Sequence, residues 1–244
     1  MSVGVIYVAC GSQYIEEACQ SASSIKHHMP NMKITLFSDT DVKCPYFNEV
    51  KFIPPQYGNL NKLLGMSRSP YEYTLYLDTD TYIYADISEM FSILKKFDIA
   101  VAHAPIRIYQ TERSTQIPDS FPEMNAGVVL FKQSPQFDNF IRNWLVLYRQ
   151  DIDQYADPYD QASFRKSLYE SDLRIGTLTS EYNFRFIFPA YACKTVKIFH
   201  GRHPDLPSLA AEINKDLVYR VYIPGEGVIK RKYKTNFFLE NHQC

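Results

Sequence analysis

The apolar positions of this chain fall into short β-branched runs that alternate with helical stripes. The first run, Val3–Val8, precedes apolar positions at every third or fourth residue between Tyr14 and His28. This pattern predicts a strand and then an amphipathic helix that ends before Pro30, and the run Lys33–Phe37 predicts the next strand. Strand, helix and strand in this order favour an α/β fold, in which the strand ends form a crevice for a ligand.

The same mixed pattern continues along the chain. Further strands are predicted at Val50–Ile53, Tyr73–Leu77, Ile99–Ala102, Val128–Phe131, Thr179–Phe186, Thr195–Phe199 and Leu217–Ile223. Further helices are predicted at Leu60–Ser67, Ile87–Phe97, Phe137–Tyr148, from the Asp157–Gln161 cap to Leu168, and at Leu209–Ile213. Between Ala104 and Pro122 lies a polar loop with three prolines, and its unusual length predicts that it shapes a pocket.

The composition of the chain indicates which partners and which cellular compartment to expect. The chain has 244 residues, no internal repeat and no linker rich in Gly, Ser or Pro, which predicts one domain. A net charge of −1 provides no basic field for nucleic acid, so we expect no nucleic-acid partner. The five scattered cysteines indicate free thiols in a reducing cytoplasm. The N-terminal run is short and has no basic leader, and no run is long enough to span a membrane, so we expect neither a signal peptide nor a transmembrane segment.

Two carboxylates end the apolar run Tyr73–Leu77. Asp78 and Asp80 lie one residue apart, and carboxylates this close need water, hydrogen-bond donors or a cation to stay ionised together. His200 follows another apolar run, Thr195–Phe199. The pattern predicts a metal site built across a sheet, in which Mg²⁺ or Mn²⁺ also takes phosphate oxygens as ligands and the imidazole favours Mn²⁺. Taken alone, the Asp-x-Asp pair also fits a turn cap and a solvent-exposed residue.

Two cations accompany these residues in the sequence. Lys62, on a predicted helix, and Arg202, two residues after His200, are placed to share the charge of a diphosphate. Singly, Lys62 also fits a surface helix position, Arg202 a loop cation and His200 a hydrogen-bonded histidine. The ordered set favours a site for a nucleoside diphosphate.

In this order the residues resemble the glycogenin-like branch of the GT-A glycosyltransferases, which includes bacterial lipopolysaccharide galactosyltransferases. The resemblance covers about the first 205 residues and is carried by the strand–helix–strand start, Lys62, Leu-Tyr-Leu-Asp78-Thr-Asp80, Asn125-Ala126-Gly127, Asp160-Gln161, Tyr182-Asn183 and His200-Gly201. It implies an α/β GT-A fold, a Rossmann-like mixed sheet flanked by helices. It also implies Mn²⁺-dependent transfer of a sugar from a nucleotide sugar, usually a UDP-sugar, to a glycan, protein or lipid-linked acceptor, typically with retention at the anomeric carbon.

The resemblance also implies a role for each matching residue. The metal ligands are Asp78, Asp80 and His200. The residues beside the anomeric centre are Asp160, the better-charged nucleophile or electrostatic partner, and Gln161. Tyr14 stacks on uracil, and the other donor-binding positions are Val8, Ala9, Asp39, Lys62, Thr79, Asn125, Ala126, Gly201 and Arg202. Asp39 also fits a turn cap. Residues 1–105 form the nucleotide-binding half, 106–205 the acceptor and metal-completing half, and 206–244 a C-terminal extension with a basic, aromatic tail.

Two departures from the family pattern affect these expectations. The family often continues its metal histidine into Gly-x-x-Lys-Pro-Trp, whereas this chain has His200-Gly-Arg202-His203-Pro204. Arg202 is therefore predicted to replace the lysine, and His203 competes with His200 as ligand. Arg107 stands where an acidic sugar contact is common, which leaves the sugar of the donor open.

Two other functions fit parts of the sequence. Asp78-Thr-Asp80-Thr81 after an apolar strand also fits a haloacid-dehalogenase-like phosphotransferase with Asp78 as nucleophile. A complete strand–helix–strand unit precedes this motif, however, and no later acidic pair follows it. A catalytically silent protein that binds a nucleotide sugar on the same fold is the second alternative. The sequence does not indicate an oligomeric state.

Overall fold

The computed structural model describes residues 2–106 and 117–230. In these residues the strands are β1 (Val3–Ala9), β2 (Ile34–Ser38), β3 (Glu49–Phe52), β4 (Tyr73–Leu77), β5 (Thr81–Ile83), β6 (Ile99–His103), β7 (Met124–Lys132), β8 (Ile175–Thr177), β9 (Ala190–Ala192), β10 (Ile198–His200), β11 (Arg220–Ile223) and β12 (Gly227–Lys230). The α-helices are α1 (Ser12–His28), α2 (Leu60–Ser67), α3 (Pro135–Tyr155), α4 (Gln161–Glu170) and α5 (Leu206–Asn214), and 3-10 helices span Ser88–Lys95 and Ser180–Tyr182.

The central sheet has seven strands in the order β3-β2-β1-β4-β7-β6-β8. Strand β7 runs antiparallel to both of its neighbours, whereas the other pairings are parallel. Helices cover both faces of this sheet. The predicted fold class, a mixed α/β sheet flanked by helices, is therefore confirmed.

The core consists of two apolar layers, one on each face of the sheet. Side chains alternate along a strand, so Val5 and Tyr7 of β1 pack with Ala22 of α1, while Ile6 packs on the other side with Trp144 of α3. Buried side chains on both faces explain why β1 reads as a continuous apolar run instead of an alternating one.

Two smaller sheets complete the described part of the chain. Strands β5 and β10 pair antiparallel, and His200 at the end of β10 lies opposite Thr81 at the start of β5. The other small sheet, β12-β11-β9, packs against α5. Arg220 is 1% exposed there and donates hydrogen bonds to the Ile213 carbonyl and the Asn214 side chain. Because β5 comes directly after β4 in the chain, its pairing with β10 brings residue 200 back to the carboxyl end of β4.

Several predicted elements differ from the structure. The predicted strand Thr179–Phe186 is wrong, because a 3-10 turn occupies Ser180–Tyr182 and only Phe184 forms a bridge, to Phe199. Its apolar residues Phe184 and Phe186 are buried, but they belong to a loop and not to a strand. The segment predicted as an α-helix at Ile87–Phe97 is a 3-10 helix.

The strand predicted at Val128–Phe131 begins earlier, at Met124, so Asn125, Ala126 and Gly127 lie inside β7 instead of before it. The long loop is described only at residues 104–106 and 117–122, and Arg107 and the tail after Lys230 lie outside the described residues. In the described ranges, every helix is too short or too polar to cross a membrane.

Candidate active site

Asp78, Asp80 and His200 meet at the carboxyl end of β4, in the middle of the central sheet. Asp78 directly follows β4, and its backbone N–H donates to the Gly127 carbonyl at 2.7 Å. Asp80 directly precedes β5, and its carbonyl accepts from the Gly201 N–H at 2.9 Å. The pairing of β5 with β10 therefore holds the histidine beside the two acids.

The three side chains present their ligand atoms to a common point. His200 Nε2 lies 3.5 Å from Asp78 Oδ2 and 3.5 Å from Asp80 Oδ1, and the potential ligand atoms all lie within 4.8 Å of one another. His200 Nδ1 donates to Asn183 Oδ1 at 2.8 Å, and Asn183 donates to Asn125 Oδ1 at 2.9 Å. This chain of hydrogen bonds places the proton on Nδ1 and leaves the Nε2 lone pair facing the carboxylates, which is the arrangement of a metal-binding histidine.

Gly127 makes this convergence possible. A Cβ atom at this position would lie 2.5 Å from Asp78 Oδ2 and 2.7 Å from His200 Nε2, so only glycine leaves room for both ligands. Two carboxylate oxygens and one imidazole nitrogen are a donor set that suits Mn²⁺ and also accepts Mg²⁺. The residues present therefore fit a divalent cation.

Lys62 connects Asp78, one of the three proposed metal ligands, to Asp160. Its buried ammonium lies 3.4 Å from Asp78 Oδ1 and 3.1 Å from Asp160 Oδ2. Burial disfavours the charge on Lys62, but Asp160 and Asp78 outweigh it and raise the pKa of the lysine. Burial likewise disfavours a charged Asp78, yet Lys62 holds the pKa of this carboxyl well below its usual range. Lys62 is thus an internal cation committed to two acids.

Asp160 lies at the first turn of α4 and is almost fully buried. Its Oδ1 accepts from Asn59 Nδ2 at 3.2 Å, and its Oδ2 faces Lys62. Burial raises the pKa of Asp160 despite the opposing effect of Lys62. The neighbouring Gln161 donates its amide to the buried carboxylate of Glu123.

A cavity of about 590 Å³ adjoins these groups at the carboxyl ends of β1 and β4. It is lined by most of the residues predicted from the sequence, namely Val8, Tyr14, Lys62, Asp78, Thr79, Asp80, Asn125, Ala126, Asp160, Gln161, His200 and Arg202. Their individual roles remain predictions.

Three predicted donor-binding residues do not line this cavity. Ala9 is buried in the core, and Asp39 accepts a hydrogen bond from the Gly11 backbone at 3.1 Å. Gly201 has φ of 138° and borders a neighbouring groove. His203 accepts from the Asp205 backbone at 3.0 Å and does not belong to the metal cluster.

Arg202 closes one side of the cavity. It forms a two-pronged ion pair with Glu17 of α1, at 2.7 and 3.0 Å, and lies over the ring of Tyr14. The Thr79 hydroxyl donates to the same Glu17 at 2.8 Å. Glu17 therefore connects α1, the turn between the acids and the segment after β10.

Four residues that help to form the site were not predicted from the sequence: Glu17, Asn59, Glu123 and Arg185. Asn183 belongs to the Tyr-Asn pair of the family resemblance, but the sequence indicated no role for it. The others are brought to the site by folding alone.

No protein-family model matches this sequence, and no curated protein matches it either. Solved structures do. The galactosyltransferase LgtC in complex with donor and acceptor sugar analogs superposes with a TM-score of 0.61 at 15% identity, over 82% of this chain and 87% of that chain. The glycosyltransferase GlyE of Streptococcus pneumoniae, in its apo form, superposes with a TM-score of 0.53 at 18% identity, over 76% of this chain and 46% of that chain. The chain has the GT-A fold.

The GT-A fold confirms the resemblance seen in the sequence at the level of architecture. An active-site mutant of LgtC gives the same result, with a TM-score of 0.57 at 15% identity, over 82% of this chain and 88% of that chain. Identities this low establish the GT-A fold alone, so activity has to be argued from the site itself.

Proposed function

We propose that the chain is a metal-dependent glycosyltransferase that moves a sugar from a UDP-sugar to an acceptor with retention of anomeric configuration. The observation that carries this proposal is the cluster of Asp78, Asp80 and His200 at the edge of a cavity large enough for a nucleotide sugar. The galactosyltransferase LgtC and the glycosyltransferase GlyE have the same fold, which supports the proposal. We treat the chain as one catalytic domain.

The three ligands would hold Mn²⁺ or Mg²⁺, which when bound neutralises the departing diphosphate as a Lewis acid. Lys62 balances the charge of Asp78 and Asp160, so these buried acids stay ionised beside the reacting sugar. Tyr14 is 48% exposed at the cavity wall and presents an aromatic face on which uracil can stack.

Asp160 suits an electrostatic role better than that of a nucleophile. Both of its oxygens are engaged, one by Asn59 and the other by Lys62. A carboxylate held in this way favours the positive charge that grows at the anomeric carbon. Gln161 lines the cavity and donates its amide nitrogen to Glu123, so its carbonyl oxygen is the group left to accept a hydrogen bond from the substrate. We therefore favour attack by the acceptor hydroxyl on the face from which the diphosphate leaves.

The decisive experiment measures UDP release from a panel of UDP-sugars with Mn²⁺, first without and then with glycan, protein or lipid-linked acceptors. Turnover that disappears in Asp80→Ala supports the transferase. Tight UDP binding without turnover on any donor would favour a silent binding protein instead. A phosphoryl group trapped on Asp78 by a phosphate mimic would favour the phosphotransferase.

The compartment we propose is the cytoplasm. The support is the set of free thiols in the described residues, Cys10, Cys19, Cys44 and Cys193. Thiol labelling of the protein in intact cells would test this placement, and an intramolecular disulfide in freshly isolated protein would contradict it.

A further inference from the structure

Three cations line the cavity in the described part of the chain: Lys62, Arg185 and Arg202. Lys62 forms ion pairs with Asp78 and Asp160, and Arg202 forms ion pairs with Glu17 and, at 3.9 Å, with Asp80. Arg185 has no such carboxylate partner among the described residues. Of the three cations, Arg185 is therefore the one whose charge is least neutralised by carboxylates of the protein.

The backbone holds Arg185 next to the three proposed metal ligands, Asp78, Asp80 and His200. The preceding residue, Phe184, donates its N–H to the Ile198 carbonyl at 2.8 Å and accepts from the His200 N–H at 3.0 Å. The Arg185 guanidinium then lies against the Phe188 ring, 5.8 Å from its centroid. Its Nη1 donates to His200 Nε2 at 3.1 Å, so the side chain points at the atom that faces the two acids. A cation bound at Nε2 would take over this lone pair and release the Nη1 N–H beside the cation.

The hydrogen-bonding capacity of Arg185 is only partly used. Its Nε is buried and has no hydrogen-bond partner. A half-buried guanidinium with unused N–H groups is costly unless an anion completes its shell, and its planar fork matches phosphate oxygens.

We propose that Arg185 binds the diphosphate of the nucleotide donor, beside the cation held by Asp78, Asp80 and His200. This inference rests on the proposed function and deepens it, because the sequence assigned the same task to Arg202. Arg202 is engaged by Glu17 through two short hydrogen bonds and reaches Asp80 at 3.9 Å, whereas Arg185 lies against His200 and keeps an unpartnered Nε. A guanidinium at this place adds charge-assisted hydrogen bonds to the phosphate oxygens and stabilises the nucleoside diphosphate as it leaves.

Calorimetric titration with UDP, uridine and Mn²⁺ tests this inference on the wild-type protein, Arg185→Met and Arg185→Lys. Loss of one charge-assisted contact should weaken UDP binding in the presence of Mn²⁺ by about 10- to 100-fold in Arg185→Met. Binding of uridine should not change, because it has no phosphate, and Mn²⁺ alone should bind at least as tightly as in the wild type. Arg185→Lys should recover part of the UDP affinity, since it keeps the charge without the fork.

Arg174→Met is the matched control, because Arg174 is an exposed arginine that pairs with Asp98 on the surface away from the cavity. Unchanged UDP affinity in Arg185→Met, with normal binding by the wild type, would overturn the role of Arg185 and leave the proposed function intact. Equal losses for UDP and uridine would show a structural role and would also overturn it. A wild-type protein that binds Mn²⁺ but not UDP would overturn both proposals.

Discussion

Replacing Gly127 by alanine should remove the metal site while the fold remains. Gly127 lies within β7 and has no positive φ, so alanine fits its backbone without strain. The added Cβ would lie 2.5 Å from Asp78 Oδ2 and 2.7 Å from His200 Nε2. The substitution therefore acts on two proposed ligands and leaves the donor groups themselves unchanged.

The size of the effect follows from these distances. Ordinary contacts of a Cβ atom begin at 3.4 Å, and the added Cβ would also lie 2.0 Å from His200 Cε1, so Asp78 Oδ2 would have to retreat by about 0.9 Å and the His200 ring by about 1.4 Å. Metal sites tolerate displacements of about 0.2 Å in their ligand distances. We expect Mn²⁺ affinity to fall by at least about 100-fold, or ~2.7 kcal/mol of binding free energy.

Titration calorimetry with Mn²⁺ measures this change, and thermal unfolding in EDTA checks that the fold persists. Gly176→Ala is the control, because it adds a methyl group to another strand glycine, where the Cβ would meet the partly exposed ring of Phe97 at 3.1 Å and Ala100 Cβ at 3.4 Å, away from the proposed ligands. Wild-type Mn²⁺ affinity in Gly127→Ala would refute the assignment of Asp78 and His200 as joint ligands.

Three further substitutions test other parts of the account. Asn183→Leu should weaken Mn²⁺ binding by about 10- to 100-fold in calorimetry, because His200 Nδ1 loses its acceptor, and unchanged affinity would contradict this role. Lys62→Met leaves two acids without their cation and should lower the free energy of unfolding in urea by about 3–5 kcal/mol, whereas a neutral effect would show that Asp160 is not charged. Arg220→Met should lower the free energy of unfolding by about 3 kcal/mol in the same assay, because buried acceptors near α5 lose their hydrogen-bond donor. Its affinity for Mn²⁺, measured in EDTA-free buffer, should not change.

The sequence predicted the parts of the fold that bury a regular apolar face. Strands β1, β2 and β4 are buried on both faces and read as short, mostly apolar runs, and helix α1 shows the period of its apolar face, so their positions follow from local pattern. The three-residue strands β8 and β9 are too short for a period to be recognised, and the strand predicted at Thr195–Phe199 overlaps β10 only at Ile198 and Phe199. Their pairing depends on partners far away in the chain, such as Thr81 opposite His200.

The site shows the same division. Asp78 and His200 are recognisable because each follows an apolar run at a strand end. Their approach to within 3.5 Å depends on the pairing of β5 with β10 and on the absence of a side chain at Gly127, neither of which a local pattern contains. The role of Arg185 could not be predicted, because its segment was predicted as a strand. The structure places Arg185 in the loop that follows a 3-10 turn.

The central claim is that Asp78, Asp80 and His200 hold one cation that also binds the diphosphate of a nucleotide. Pulsed electron paramagnetic resonance of Mn²⁺ added to the protein tests it directly, through couplings to ligand nuclei. We predict a nitrogen coupling that disappears in His200→Ala, and a phosphorus coupling that appears when UDP is added and is absent in Asp80→Asn. Bound Mn²⁺ with no nitrogen coupling from His200, or UDP bound with no phosphorus coupling to Mn²⁺, would contradict the claim.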